Sequence, residues 1–147
     1  MISAERWRHT SALYRGKRRG ALVGAMTVED ATAERSSWLL AVNQANTPEV
    51  GSLDAAGMAR LLPMQFAVRI VCVDGIPAGA IFLMRPGQAY RSANYRWFCD
   101  RFDDFLYVDR IMIDAQFRGK GLGRLLYADA EALARPCLLY TSDAADE

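Results

Sequence analysis

Apolar positions along the chain recur with two periods, near 2 and near 3.6 residues, and they change over several times. Ala21 to Met26 reads as a short apolar strand. Thr27-Val28-Glu29-Asp30 then reads as a helix start, a capping hydroxyl followed by acids in the first turn. That helix is expected to run to about Gln44, burying Val28, Ala31, Trp38, Leu39 and Val42, until Asn46-Thr47-Pro48 ends it. Ser52 reads as the cap of a second helix over about Leu53 to Leu62. Gln65 to Val73 is strand-like: Phe66, Val68 and Ile70 share one face, Gln65, Ala67 and Arg69 the other, and Val71 to Val73 are apolar on both. Asp74-Gly75-Ile76-Pro77 is hairpin-turn chemistry, returning through Ala78 to Met84. Phe105 to Ile113 is a further apolar strand, and Leu122, Leu125, Leu126, Ala130 and Leu133 mark a helix ending near Arg135.

Between Met84 and Phe105 lies an aromatic segment in which Ser92 can cap a short helix with Tyr95, Phe98 and Phe102 on one face. This face either covers the end of the sheet or walls an acceptor site. Met1 to Arg19 has six Lys or Arg residues against Glu5 and no convincing period, so residues 1–19 are expected to form a loose, disordered arm. Such an arm suits nucleic acid or acidic lipid as well as plain solvent, but the net charge of +1 gives no general case for nucleic acid. With 147 residues, 52% of them apolar, one domain with a real core is expected, over residues 20–135. No apolar run approaches the roughly 20 residues of a membrane span, and the first 20 residues lack the apolar segment of a signal peptide. Cys72, Cys99 and Cys137 have no metal-binding spacing, and His9 is the lone histidine. Reduced thiols, a cytoplasmic location and no metal site follow.

The chemistry concentrates at Arg118-Gly119-Lys120-Gly121-Leu122-Gly123-Arg124, where a strand becomes a helix. Glycine allows positive φ and close backbone approach. A helix N-terminus offers unpaired N–H groups and a positive dipole end. Together with Lys120, Arg118 and Arg124 these point to a diphosphate held mainly by backbone amides. The run is not a P-loop, because no Ser or Thr follows Gly-Lys, and the third glycine comes one residue too early for a dinucleotide fingerprint.

The order R-x-x-G-x-G, with its preceding strand and following helix, resembles the acyl-CoA loop of the GNAT superfamily of N-acetyltransferases. The resemblance covers Phe105 to Arg135 and, more weakly, extends back to about Ala21. Asn94 to Phe98 with Phe105 to Ile111 resembles a bacterial branch of acetyltransferases. The resemblance implies an α/β GNAT-type fold, a mixed but mainly antiparallel central sheet flanked by helices. It implies acetyl-CoA as cosubstrate and a small-molecule or peptide primary amine as acceptor, and it leaves a homodimer open. Ile111, Met112 and Ile113 would pair with the pantetheine arm, and Arg118 to Arg124 would hold the pyrophosphate. Several family members place a glutamate base where this chain has Tyr107. Strand alternation puts Tyr107, Asp109, Ile111 and Ile113 on one face, so Asp109 is the nearest substitute base, with Tyr107 as a proton donor or aromatic wall. The structural alternative is that Asp109 pairs with a nearby arginine and holds the sheet together. A non-catalytic acyl-CoA-binding or regulatory domain is the alternative function. The family's further C-terminal strands and helix are expected to be missing. Cys137 to Glu147 resembles a frame translation of a sequencing-library adapter, so residues 136–147 are expected to be a non-native tail, the strand Phe105 to Ile113 to lack a partner on one side, and the chain to be inactive.

Overall fold

The computed structural model describes residues 12–18, 21–135 and 140–142; in 12–18, 21–24 and 140–142 it describes the backbone only. Among the described residues six strands form one sheet in chain order: β1 (Ala12–Arg18), β2 (Ala21–Asp30), β3 (Ala67–Val73), β4 (Ile76–Met84), β5 (Leu106–Ile113) and β6 (Tyr140–Ser142). All neighbours are antiparallel except β5 and β6, which are parallel. The helices are α1 (Ser36–Ala45), α2 (Ala55–Leu61), α3 (Ala93–Arg101) and α4 (Leu122–Ala134).

Two apolar layers sandwich the sheet. On one face Leu122, Leu126, Ala130 and Ala134 of α4 pack on Ala67, Val71, Ile81, Leu83, Leu106 and Val108. On the other, Leu39 and Val42 of α1 and Met58 and Leu61 of α2 pack on Val68, Ile70, Ala80, Phe82 and Met112. Strands covered on both faces bury nearly every residue, and β3 and β4 do so. A smaller aromatic core lies under α3: Tyr95 meets Tyr107 edge-on at 5.4 Å and Phe105 at 6.1 Å between ring centroids.

The β3–β4 hairpin and the Ser92-capped α3 match the sequence reading; Asp74 and Gly75 both take positive φ, and Ser92 Oγ accepts from Tyr95 N–H. Four expectations are corrected. Residues 12–18 of the expected arm form β1, paired from Ala12↔Val28 to Arg18↔Ala21; residues 1–11, 19 and 20 lie outside the described residues. Thr27–Asp30 continues β2 instead of starting a helix, because Val28 is fully buried opposite Val71 and the backbone here is spent on sheet pairing. A 3₁₀ turn (Ala33–Arg35) then leads into α1. Asp54, not Ser52, caps α2, accepting from Gly57 N–H at 2.6 Å. Finally, residues 140–142 of the expected tail add to the sheet beside Leu106–Val108, so β5 is partnered there; residues 136–139 and 143–147 lie outside the described residues.

Candidate functional site

The register between β4 and β5 slips at one point: Phe82 pairs Arg110 but Leu83 pairs Val108, leaving Asp109 as an extra residue. Such a bulge resets the alternation and re-aims side chains. Before it, Tyr107 belongs to the aromatic core under α3; after it, Ile111 and Ile113 pack toward the α4 face. The expected common face of Tyr107, Asp109, Ile111 and Ile113 is therefore not formed. Tyr107 is fully buried among Tyr95, Phe98 and Phe105, away from any opening.

Asp109 lies at the floor of a cleft of about 710 Å³. Its walls are the chain after α1 (Ala45 to Gly51), Tyr90 and Ser92, Ile111 and Ile113 of β5, and Arg118. Among the described residues, strand pairing on this side of β5 stops at Val108, so the backbone from Asp109 to Ile113 borders the cleft. Asn46 reaches this edge, donating from Nδ2 to Ile113 O (3.2 Å) and to Val42 O (2.8 Å). Its Oδ1 accepts from Arg118 Nη2 at 3.1 Å, which draws the first loop arginine to the cleft rim.

Both oxygens of Asp109 are engaged. Arg110 Nε donates to Oδ2 at 3.0 Å, and the Tyr90 hydroxyl donates to Oδ1 at 2.7 Å. Arg110 is fixed in turn by Asn43 Oδ1 (2.7 Å) and Gly51 O (3.2 Å). A guanidinium and a hydroxyl donor thus fix the orientation of the carboxylate. Burial, and next the negative charge of Asp109, push the Tyr90 phenol up to about 12, so it stays protonated at neutral pH. The pairing of Asp109 with an arginine, expected as the structural alternative, is present, and the same residue lines the cleft with its carboxylate nearly covered. Tyr90, Asn43 and Asn46 were not singled out by the sequence. Tyr90 carried a faint signal, as an aromatic residue in the segment preceding the strand.

Between β5 and Arg118, Asp114 caps a 3₁₀ turn (Ala115–Phe117), accepting from Gln116 N–H at 2.9 Å. Gly119 and Gly121 follow with φ of 76° and 80°, values open to glycine at little cost. Gly121 is the N-cap of α4 and offers no side-chain cap, so the N–H groups of the first turn are left for another acceptor. A Cβ built on Gly119, Gly121 or Gly123 would meet nothing within 4 Å, so the surface above the loop is clear. Lys120 Nζ lies 5.3 Å from the Phe117 ring centroid, and Arg118, Lys120 and Arg124 are exposed around the loop. Backbone donors, a helix N-terminus and three cations fit a diphosphate-bearing ligand. Leu122 is the exception among the expected loop positions, since its side chain is buried against the sheet and only its N–H can serve; Met112 of β5 is likewise buried.

α4 presents a slightly different stripe from the expected one. Leu122, Leu126, Asp129, Ala130 and Ala134 are its buried residues, while Leu125 and Leu133 are partly exposed. Asp129 sits in this apolar stripe because Arg69 of β3 meets it with two hydrogen bonds, 2.8 Å from Nε and 3.0 Å from Nη2. Arg69 Nη1 also reaches Asp30 of β2 at 3.0 Å. Burial opposes the Arg69 charge, but the two carboxylates outweigh it and raise its pKa. Among the described residues no group of His, Cys, Asp and Glu is placed to hold a metal, and no helix is long and apolar enough to cross a membrane.

No curated protein sequence matches the chain. Solved structures with the same fold include the aminoglycoside N-acetyltransferase AAC(6')-Iy in complex with CoA, at 16% identity and a TM-score of 0.60 over 80% of this chain and 76% of that one. An acetyltransferase of Trypanosoma brucei gives 19% identity and 0.57 over 80% and 82% of the two chains. Glucosamine-6-phosphate N-acetyltransferase of Arabidopsis thaliana gives 14% and 0.56 over 80% and 81%. At these identities the likeness speaks for the fold. The sequence profile of the acetyltransferase (GNAT) family matches residues 49–144, which takes in α2, the cleft strand, the glycine loop and α4. The chain belongs to the acetyltransferase (GNAT) family, a family of acyltransferases.

Proposed function

We propose that the protein transfers an acetyl group from acetyl-CoA to a primary amine, using the cleft between the β5 edge and the α1–α2 connection; the expected inactivity rested on an unpartnered β5, and β6 pairs with it at Leu106 to Val108. The observation that carries this reading is a cleft bordered by the Asp109–Tyr90 pair, by Ile111 and Ile113 of the β5 edge, and by Arg118, the residue that opens the loop whose amides and cations run from Gly119 to Arg124. Bound acetyl-CoA would supply an activated thioester. Its pyrophosphate suits the N–H groups of Gly119 to Arg124, with Arg118, Lys120 and Arg124 as flanking charge. The edge of Ile111, Met112 and Ile113 offers backbone donors and acceptors to an amide-bearing arm.

The chain's own work is then positioning and proton handling. An ammonium entering the cleft is drawn to the Asp109 carboxylate. Asp109 takes the proton, and Arg110 and Tyr90 keep the carboxylate oriented. Tyr90, protonated at working pH, can return a proton. Overall one C–N bond forms and the C–S bond breaks; of the two protons the ammonium gives up, one leaves through Asp109 to solvent and the other ends on the thiol, so no oxidant or reductant is needed. Tyr107, buried under α3, has no part in this. The second reading, a non-catalytic acyl-CoA-binding domain, draws on the engagement of both Asp109 oxygens.

Calorimetric titration with CoA, paired with amine-dependent thiol release, tests the proposal. Gly123→Val is the informative change: position 123 has ordinary helical φ and free space around it, so valine costs the fold little yet covers the amides. CoA binding should fall below detection. Lys120→Ala should weaken it by about fivefold at most, as an exposed charge at a helix end does. Equal losses from the two changes would overturn an amide-dominated site. Binding without any amine-dependent thiol release would leave the non-catalytic reading standing.

A further inference from the structure

A second cavity, of about 480 Å³, lies on the other side of Tyr90 from the main cleft. Tyr90 and Arg110 line both, so the two spaces meet at the phenol that donates to Asp109. Three arginines line the second cavity, Arg60, Arg91 and Arg110, and no carboxylate does. Their roles differ. Arg110 is buried and neutralised by Asp109, Asn43 and Gly51. Arg60, in the last turn of α2, and Arg91, just before the α3 cap, are exposed and make no salt bridge or side-chain hydrogen bond among the described residues. The remaining wall is apolar, with Leu53, Leu61 and Met64.

Building on the acetyl-transfer reading, we propose that Arg60 and Arg91 form an anion subsite for the acceptor, which is therefore an amine carrying a phosphate or carboxylate at its far end. Two guanidinium groups without carboxylate partners, from two different elements, form a receptor for an oxyanion. The opposite charge sits at the junction of the cavities, where Asp109 faces the main cleft. An acceptor with a cationic amine at one end and an anion at the other would span this field in one orientation only. The amine would point at Asp109 and the anion away from the thioester. The apolar wall between the two ends suits a short carbon chain. Orientation of this kind confers specificity as well as affinity.

The test uses two matched pairs of amines, phosphoethanolamine with ethanolamine and 6-aminohexyl phosphate with 6-aminohexanol, so that reach does not decide the result. Affinity is measured by NMR titration of the whole chain, alone and with saturating CoA. At least one phosphate amine should bind about tenfold tighter than its neutral partner. The preference should vanish in the Arg60→Gln/Arg91→Gln double variant, with CoA affinity unchanged. No preference in either pair, or one that survives in the double variant, would overturn the subsite. Because the comparison is also made without CoA, a failure of CoA binding would sink the acetyl-transfer reading while the charge preference is still read directly.

Discussion

Two arginine–aspartate clusters lie on opposite sides of the same sheet, and they differ in what faces them. Arg69 of β3 is met by Asp129 of α4 and Asp30 of β2, residues 60 and 39 positions away in sequence. Arg69 and Asp129 are buried among packed side chains, and Asp30 reaches the surface. Arg110 of β5 is met by its own neighbour Asp109, brought round by a bulge, and by Asn43 of α1. On that side the surroundings are an open cleft. Similar burial and similar ion-pair geometry thus serve different ends. The first cluster ties a helix to two strands, with Asp129 buried and Asp30 a quarter exposed beside a small cavity of about 180 Å³. The second sits in the wall of a larger cleft, about 710 Å³ and roomy enough for a ligand, with the Asp109 side chain itself 4% exposed. A buried ion pair says little by itself about function; its open side decides.

The sharpest way to break this comparison is to remove charge from each carboxylate in turn. Asp109→Asn keeps the size and cannot take a proton. We expect kcat for amine-dependent thiol release to fall by about 10²- to 10⁴-fold, the range of general acid–base catalysis, with CoA affinity unchanged. An unaltered pH–rate profile in this variant would give Asp109 the same structural role as Asp129.

Asp129→Ala should do the reverse. It leaves Arg69 with Asp30 as its one carboxylate partner in a packed layer, and breaking one partner of a buried pair costs up to about 3–5 kcal/mol. Chemical denaturation should show this loss, while kcat per folded molecule stays within about twofold of the parent, as expected of a site remote from the reacting groups. If the variant is too unstable to purify, Arg69→Met with Asp129→Leu removes both charges and should recover much of the stability. A double variant no more stable than Asp129→Ala would show that the pair is more than a tether.

The same contrast explains what could be read from the sequence. The hairpin turn at Asp74-Gly75 and the loop Gly119 to Gly123 were legible because each local conformation demands its residues. So was the Ser92 cap. The β2 extension was not, since Thr-Val-Glu-Asp is good local helix-start chemistry and pairing with β1 and β3 overrides it. The Asp109 bulge has no residue signature, and a strict period of two put Tyr107 on the wrong face. Yet the Arg69 cluster left a trace. Asp129 falls seven residues after Leu122 and three after Leu126, on the buried stripe of α4. A carboxylate there needs a cation, and Arg69 lies in a strand of otherwise apolar residues. Which cation it meets is a long-range fact that only the fold supplies.

The smallest expected effect concerns the hydroxyl that distinguishes the cleft cluster. Tyr90→Phe removes one hydrogen bond to the Asp109 carboxylate and leaves Arg110 in place. A bond to a charged group is worth about 1.5 kcal/mol or a little more, so kcat should fall about tenfold, well short of the loss in Asp109→Asn. Stability supplies a second readout with a definite sign. The phenol's ordinary pKa is 10.0, and burial together with Asp109 raises it to about 12 in the folded protein. Its contribution to stability is therefore fully present below pH 10 and is lost as pH rises through 12. Cys72 behaves alike over a lower window, its thiol raised from 9.0 to about 11 by burial and then by Glu29, so it must be controlled for. In a Cys72→Ala background, the fall in denaturation free energy between pH 10 and 12 should be shallower in the Tyr90→Phe variant than in the chain that keeps the hydroxyl. Identical slopes would mean that the hydroxyl titrates as if in water, and the hydrogen bond to Asp109 would lose its claim to orient the carboxylate.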